Sequence, residues 1–215
     1  MTGTPPVALA SVTAVVLAAG TGSRFGGPRH KLLQPLAGRP LVTWAVDAAR
    51  QAGCAEVLVV EGAVPLADVL LPGVVVVANP DFASGQASSL RVALDWCAAA
   101  GRDAAVVGLG DQPFVPAAAW RAVAASTAAP IVAASYGGRR RNPVRLDRSV
   151  WSLLPTTGDE GARLLMAARP ELVAEVACEG EPLDVDTLDD LAAAEAARPR
   201  PALPRPAPPS AAPPR

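Results

Sequence analysis

The chain has 215 residues and a formal net charge of −1, a length that suits one substantial α/β core and a balance that excludes general attraction to nucleic acid or an anionic membrane. Cys54, Cys97 and Cys178 are odd in number, widely scattered and set in apolar contexts. They read as buried thiols of a reducing, cytoplasmic compartment and exclude a disulfide framework or a cysteine metal site.

Residues 1–11 read as a short tail. Val7 to Ala19 is mostly apolar and ends in small residues, like a signal peptide, but no Lys or Arg precedes it and Pro5 and Pro6 interrupt it. No stretch is long enough to span a bilayer. The run Val12 to Leu17 is therefore a first strand, and it leads directly into Leu17-Ala18-Ala19-Gly20-Thr21-Gly22-Ser23-Arg24-Phe25-Gly26, followed by Lys31-Leu32-Leu33.

That loop reads as an anion cradle. Gly20 and Gly22 are expected to take positive φ, so that several N–H groups converge on one anion. Arg24 and Lys31 add fixed positive charge, which suits a polyphosphate and has little use in a plain αβ turn. The dinucleotide fingerprint fails because Phe25 stands where its third glycine belongs, and the Walker pattern fails because no Gly-Lys-Ser/Thr closes the loop. The guest these residues point to is a nucleoside triphosphate.

Further along, apolar strand-like runs alternate with helical periodicity. A helix is expected from about Pro40, with Leu41, Trp44, Ala45 and Ala48 on one stripe. Strands follow at Glu56 to Val60 and Val74 to Ala78. A second helix follows Ser88, carrying Leu90, Ala93, Leu94 and Cys97; then come a strand at Ala104 to Gly108, a helix from Pro116 through Trp120 and a strand at Pro130 to Ala134. Runs without polar alternation are strands covered on both faces, so the class is α/β, a doubly wound, mostly parallel sheet with helices on both faces. Ligands of such sheets bind beyond the carboxyl ends of the strands, where the glycine loop and Asp111 both fall.

Asp111 ends an apolar strand in Leu109-Gly110-Asp111-Gln112-Pro113. Asp184-Val185-Asp186-Thr187 is expected to end another extended segment, its two acids facing one way, with Thr187 and Asp190 forming a capping-box-like start to a closing helix, Leu188 to Ala197. Capping accounts for Thr187 and Asp190 but not for Asp186. Asp111 and Asp186 beside a polyphosphate loop make a site for Mg²⁺ (or Mn²⁺) of the usual kind, carboxylates plus substrate phosphates. Trp44, Trp96, Trp120 and Trp151 fall in helical stretches and read as packing residues. Arg198 to Arg215 is a Pro/Ala/Arg tail that buries no core and is expected to be disordered and available to a partner.

Over residues 12–197 the chain resembles the MobA-like nucleotidyltransferases, and within them the molybdenum cofactor cytidylyltransferase branch. The resemblance rests on the glycine loop, Asn79-Pro80 with Gly85-Gln86-Ala87-Ser88-Ser89-Leu90-Arg91, Leu109-Gly110-Asp111-Gln112-Pro113, Gly158-Asp159-Glu160-Gly161-Ala162-Arg163 and Asp184-Val185-Asp186-Thr187, in family order. It implies a Rossmann-like fold of the nucleotide-diphospho-sugar transferase type. It also implies that Leu17, Ala18, Ala19, Gly20, Gly22 and Ser23 wrap the nucleotide, that Arg24 and Lys31 hold phosphates, that Asn79, Gln86, Ser88 and Ser89 belong to the nucleotide side, and that Asp111 and Asp186 hold the metal. Ala19, in Leu-Ala-Ala-Gly rather than Leu-Ala-Gly-Gly, favours CTP over GTP.

The implied reaction is attack of a pterin cofactor's phosphate on the α-phosphate of CTP, with release of pyrophosphate. Charge stabilisation by Arg24, Lys31, Asp111 with its metal and loop N–H groups supplies the catalysis. No general base is needed, because the attacking phosphate is already ionised, and His30 reads as a phosphate-edge or surface residue. Gln112, Asn142, Asp159, Glu160 and Arg163 are the candidate acceptor contacts, and a molybdoenzyme or its chaperone is the implied downstream partner. One departure stands out: relatives commonly carry Gly-His-Pro where this chain reads Arg139-Arg140-Arg141-Asn142-Pro143, with Arg145 and Arg148 beyond. That cluster is either a site for an anionic co-substrate or a solvated hairpin. GTP or a sugar-phosphate acceptor on the same fold, and a non-catalytic pterin-delivery protein, stay open as alternatives; a dinucleotide-dependent oxidoreductase is disfavoured by the missing third glycine.

Overall fold

The computed structural model describes residues 9–27 and 29–197; the tail expected over 198–215 and most of that over 1–11 lie outside the described residues. Leu9–Ser11 is a 3₁₀ turn whose Leu9 and Ser11 carbonyls accept from Ala55 and Asp103, so the folded unit begins before the expected Val12. The strands are β1 (Val12–Ala18), β2 (Pro35–Leu36), β3 (Arg39–Pro40), β4 (Glu56–Glu61), β5 (Val75–Ala78), β6 (Ala104–Leu109), β7 (Ile131–Tyr136), β8 (Arg139–Asp147) and β9 (Val173–Ala177). The helices are α1 (Leu41–Gln51), α2 (Gln86–Ala99), α3 (Ala117–Ala125), α4 (Arg163–Ala168) and α5 (Leu188–Ala197).

The main sheet has the order β5-β4-β1-β6-β8-β7-β9. All its neighbours pair in parallel except β8, which runs antiparallel to β6 and β7. Strand periodicity sorts the core into two layers. Val12, Ala14, Val16 and Ala18 point to one face, against Val42, Ala45, Val46 and Ala49 of α1 and Trp120 and Val123 of α3. Val15 and Leu17 point to the other, against Leu90, Ala93, Leu94 and Cys97 of α2. Each Val or Leu taken fully out of water this way contributes about 1.5–3 kcal/mol, so β1, buried on both faces, anchors the loop that follows it.

Trp120 of α3 presses on the sheet at Gly108, where an added Cβ would lie 2.5 Å from the indole Cζ2. Trp44 sits at the edge of its helix, its indole N–H donating to the Leu36 carbonyl at 3.1 Å under the Arg39 guanidinium. Trp151 lies in a 3₁₀ turn, Arg148–Leu153, rather than an α-helix.

Other differences from expectation have local causes. Helix α2 starts at Gln86 rather than after Ser88, because Gly85 at φ 108° makes the turn into it. Asp184 to Asp186 is not a strand; the segment is irregular, held by one backbone hydrogen bond from Val185 to the Asp111 carbonyl at 3.0 Å. Gly20 does not take positive φ; the turn is made at Gly22 (φ 63°) and Gly26 (φ 66°). The arginine run forms the start of β8, and a cis Asn142–Pro143 bond follows it in the middle of the strand. Arg139, Arg140 and Arg141 are exposed, Arg140 pairing with Glu175 at 2.9 Å, whereas Arg145 is buried and Arg148 stacks over Trp151. Among the described residues no helix is long and apolar enough to cross a membrane.

Candidate active site

A small third cluster, Phe25, Leu36, Leu41, Val185 and Ala194, is packed apart from the main core. It joins the glycine loop, the start of α1, the Asp184–Asp186 segment and α5. Asp111 leaves the carboxyl end of β6, and Val185 donates to its carbonyl. Asp186 is steadied from the other side by Asp190, whose carboxylate accepts from the N–H groups of Asp186 and Thr187 at 3.0 and 2.8 Å while the Asp190 N–H donates to Thr187 Oγ1 at 3.1 Å. This is the expected capping box, and the hydrogen bonds from Thr187 and the backbone hold the Asp190 carboxyl below its usual range.

Between the two acids stands Lys31. Its Nζ donates to Asp111 Oδ2 at 2.6 Å and to Asp186 Oδ1 at 2.8 Å, with only 10 % of the side chain exposed. Burial works against its charge, but the two carboxylates outweigh it and the ammonium is held above its ordinary value. Arg24 Nη1 reaches Asp186 Oδ2 at 3.0 Å from a largely exposed position. Asp111 Oδ1 is buried and has no hydrogen-bond partner. A hard carboxylate oxygen left bare beside a second carboxylate is a donor set that fits Mg²⁺ or Mn²⁺. Among the described residues no group of three or more His, Cys, Asp or Glu is arranged to hold a metal by itself, so a metal here would need further ligands from its guest.

These residues line a cleft of about 570 Å³. Leu17, Ala19, Gly20, Gly22 and Ser23 of the glycine loop line it together with Gln86 and Ser89 of α2 and Asp159. His30 backs the loop: its Nε2 donates to the Gly20 carbonyl at 2.8 Å while Nδ1 accepts from the Leu32 N–H at 3.3 Å, which places the ring proton on Nε2. Both nitrogens are spent on backbone, a role for His30 that sequence reasoning missed.

Some expected residues stand elsewhere. Ala18 faces the sheet's opposite layer. Asn79 is buried behind the cleft, its Nδ2 donating to Ser88 Oγ and Ser89 Oγ, both at 2.9 Å; Ser88 in turn donates to the Gly85 carbonyl at 2.8 Å. Asn79 and Ser88 thus tie β5 to α2, and Ser89 alone of this trio lines the cleft. The Asn-Pro turn so close before Ser-Ser was the available signal.

A second cleft, about 590 Å³, shares Leu17, Gln86, Leu109, Asp159 and Asp184 with the first. Gln112, Asn142, Glu160 and Arg163 line it with Arg140 and Arg141, over an apolar floor that includes Val107, Val144 and Met166. All the expected acceptor contacts therefore meet in one place. Glu160 pairs with Arg163 at 2.6 Å. Asn142 Nδ2 donates to Gln112 Oε1 at 3.4 Å, and Gln112 Nε2 donates to Asp184 Oδ1 at 2.7 Å. Withdrawal from water, with Asp111 and Asp186 nearby, pushes the Asp184 carboxyl up despite that donation. Gly85, which lines the first cleft, packs closely on the Gly158–Asp159 turn: a Cβ there would lie 2.5 Å from the Gly158 carbonyl carbon and 2.8 Å from Asp159 Oδ1.

A doubly wound sheet of this order, with two acids and two cations gathered at a glycine loop beyond β1 and β6, places a candidate ligand site at the carboxyl ends of the strands, and its structural neighbours share the nucleotide-diphospho-sugar transferase fold. The chain belongs to the MobA-like NTP transferase family, whose domain model matches residues 14–174. It is 35% identical over 199 residues to nicotine blue oxidoreductase of Paenarthrobacter nicotinovorans, covering 85% of this chain and 96% of that protein. Among solved structures, Rv0371c of Mycobacterium tuberculosis H37Rv aligns with a TM-score of 0.75 at 34% identity, covering 86% of this chain and 97% of that one. A manganese complex of Rv0371c aligns with a TM-score of 0.72 at 30% identity over 87% and 100% of the two chains.

Proposed function

We propose that the protein is a divalent-metal-dependent cytidylyltransferase that transfers CMP from CTP to the phosphate of a pterin cofactor, releasing pyrophosphate. The observation that carries this is the convergence of Asp111, Asp186, Lys31 and Arg24 on one side of a glycine loop. An acceptor phosphate oxygen attacks the α-phosphorus, the bond to the bridging β-phosphate oxygen breaks, and its electron pair leaves with pyrophosphate. Lys31, Arg24 and the loop N–H groups from Gly20 to Ser23 hold the triphosphate and meet the charge that develops on it. Asp111 and Asp186 would hold Mg²⁺ or Mn²⁺, which would neutralise phosphate charge when bound; the manganese complex of Rv0371c supports a divalent ion here.

The second cleft takes the acceptor, with Gln112, Asn142, Asp159, Glu160 and Arg163 as its polar contacts and Arg140 and Arg141 at its rim. An apolar floor under a cationic rim suits a planar ring that ends in a phosphate. Ala19 in the loop supports CTP as donor, and a molybdoenzyme or its chaperone is the consumer. The test is pyrophosphate release across the four NTPs with molybdopterin and Mg²⁺. Release with CTP and molybdopterin supports the reading; release with GTP, or only when a sugar phosphate replaces molybdopterin, moves the assignment within the fold, and silence with all four NTPs and either acceptor overturns it.

The nicotine blue oxidoreductase relative, matched over nearly its full length, gives a second reading: a reductase on the same fold. Reduction of nicotine blue by a supplied two-electron donor, with no pyrophosphate formed under any condition, would select it.

A further inference from the structure

Lys31 does more than reach towards phosphates: it occupies the place between the two carboxylates that a divalent cation needs. Its ammonium takes one oxygen from each acid, at 2.6 and 2.8 Å. Arg24 takes the second oxygen of Asp186. Of the carboxylate oxygens in this pair, Asp111 Oδ1 is left buried and unpartnered.

The stem of Lys31 is confined beneath the glycine loop. A Cβ on Gly22 would lie 3.2 Å from Lys31 Cγ. The terminal ammonium lies in the cleft that the loop borders, where an arriving phosphate could compete with the two carboxylates for it. Two carboxylates held close and away from bulk water repel one another, and a cation between them makes the arrangement tenable. Lys31 supplies that cation from within the chain. A free divalent ion must displace it and leave a buried ammonium without a partner. A triphosphate arriving with the ion offers the ammonium new oxygens.

Resting on the nucleotidyltransferase reading above, we propose that Lys31 is an internal counter-ion that keeps Asp111 and Asp186 closed to free divalent metal. Metal then enters only as a metal–nucleotide complex that draws the ammonium onto phosphate. Binding of the two is strongly cooperative, by equal factors in either order.

The test is Mn²⁺ binding followed by electron paramagnetic resonance, with and without the α,β-methylene analogue of CTP. Wild type is expected to bind free Mn²⁺ poorly and at least tenfold more tightly with the analogue. Lys31→Met is expected to tighten free Mn²⁺ at least tenfold and to lose most of the cooperativity; Lys31→Gln serves the same purpose if Lys31→Met does not fold. Unchanged or weaker free Mn²⁺ binding in a folded variant overturns the proposal while leaving the transferase reading intact. So does wild-type Mn²⁺ affinity that is indifferent to the analogue. Failure of wild type to bind the analogue at all in Mn²⁺ contradicts the transferase reading and removes this proposal with it.

Discussion

The backbone N–H of Val185 donates to the carbonyl of Asp111 at 3.0 Å, and this single bond brings the acid at the end of β6 beside the acid that precedes α5. Val185 is 1% exposed and packs with Phe25 and Leu41. The relative placement of the two acids is consequently a property of a small hydrophobic cluster as much as of the acids themselves.

Phe25 is the loop's share of that cluster. Phe25→Ala is expected to cost about 3 kcal/mol, at the lower end for a buried Phe because the cluster is small and peripheral. It should also raise the KM for nucleotide several-fold as the loop loses its anchor. Urea denaturation and steady-state kinetics check the two parts.

His30 bridges the Gly20 carbonyl and the Leu32 N–H. His30→Ala is expected to cost about 1 kcal/mol and to raise nucleotide KM more than it lowers kcat. His30→Gln, which keeps an N–H donor, should recover part of the KM. The pH dependence of kcat should keep its shape in both, since the ring carries no reaction proton.

Gly85 stands at φ 108° against Gly158. Gly85→Ala is expected to destabilise by about 1–3 kcal/mol from strain and overpacking. It should displace Asp159, which lines both clefts, so KM should rise for nucleotide and acceptor together. Thermal unfolding and a two-substrate kinetic matrix measure this.

Burial pushes the Cys97 thiol up to about 11 from an ordinary 9.0. The native state keeps this proton over a range in which the unfolded chain has given it up. The contribution to stability is therefore complete below pH 9 and is lost as the pH rises towards 11, by on the order of 2–3 kcal/mol. Urea midpoints from pH 8 to 11 should fall accordingly, and Cys97→Ala should remove its share of the fall while leaving that of Cys54, whose thiol is likewise pushed up to about 11 by burial. At pH 8 the native thiol should also resist disulfide-exchange reagents until the chain is unfolded.

Much of the frame was legible because its physics is local. Val12 to Leu17 and Ala104 to Gly108 announce buried parallel strands by unbroken apolar runs, and Thr187 with Asp190 announces a helix start. β9 and α4 are short and only partly buried, so no strong period marks them. Asp111 and Asp186 were visible as acids at element ends, but the bond that joins them runs through Val185, whose apolar side chain belongs to a pattern assembled from four separate segments. In the sequence Phe25 stands out first as a missing glycine, although a lone large apolar residue in a polar loop is itself a sign of an anchor. Asn79 and Ser88 carry family-like spacing, yet burial gives them to the scaffold; spacing does not distinguish a residue facing the cleft from one bracing its back.

The central claim is that Asp111 and Asp186 act as one clamp on a metal-bound triphosphate. It is tested most directly by calorimetric binding of the α,β-methylene analogue of CTP in Mg²⁺ to Asp111→Asn, Asp186→Asn and the double variant. A single clamp predicts that each substitution weakens binding by roughly 10²-fold and that the double variant is scarcely weaker than either, because coupled residues are non-additive. Additive losses, or affinities within twofold of wild type in folded protein, would contradict it.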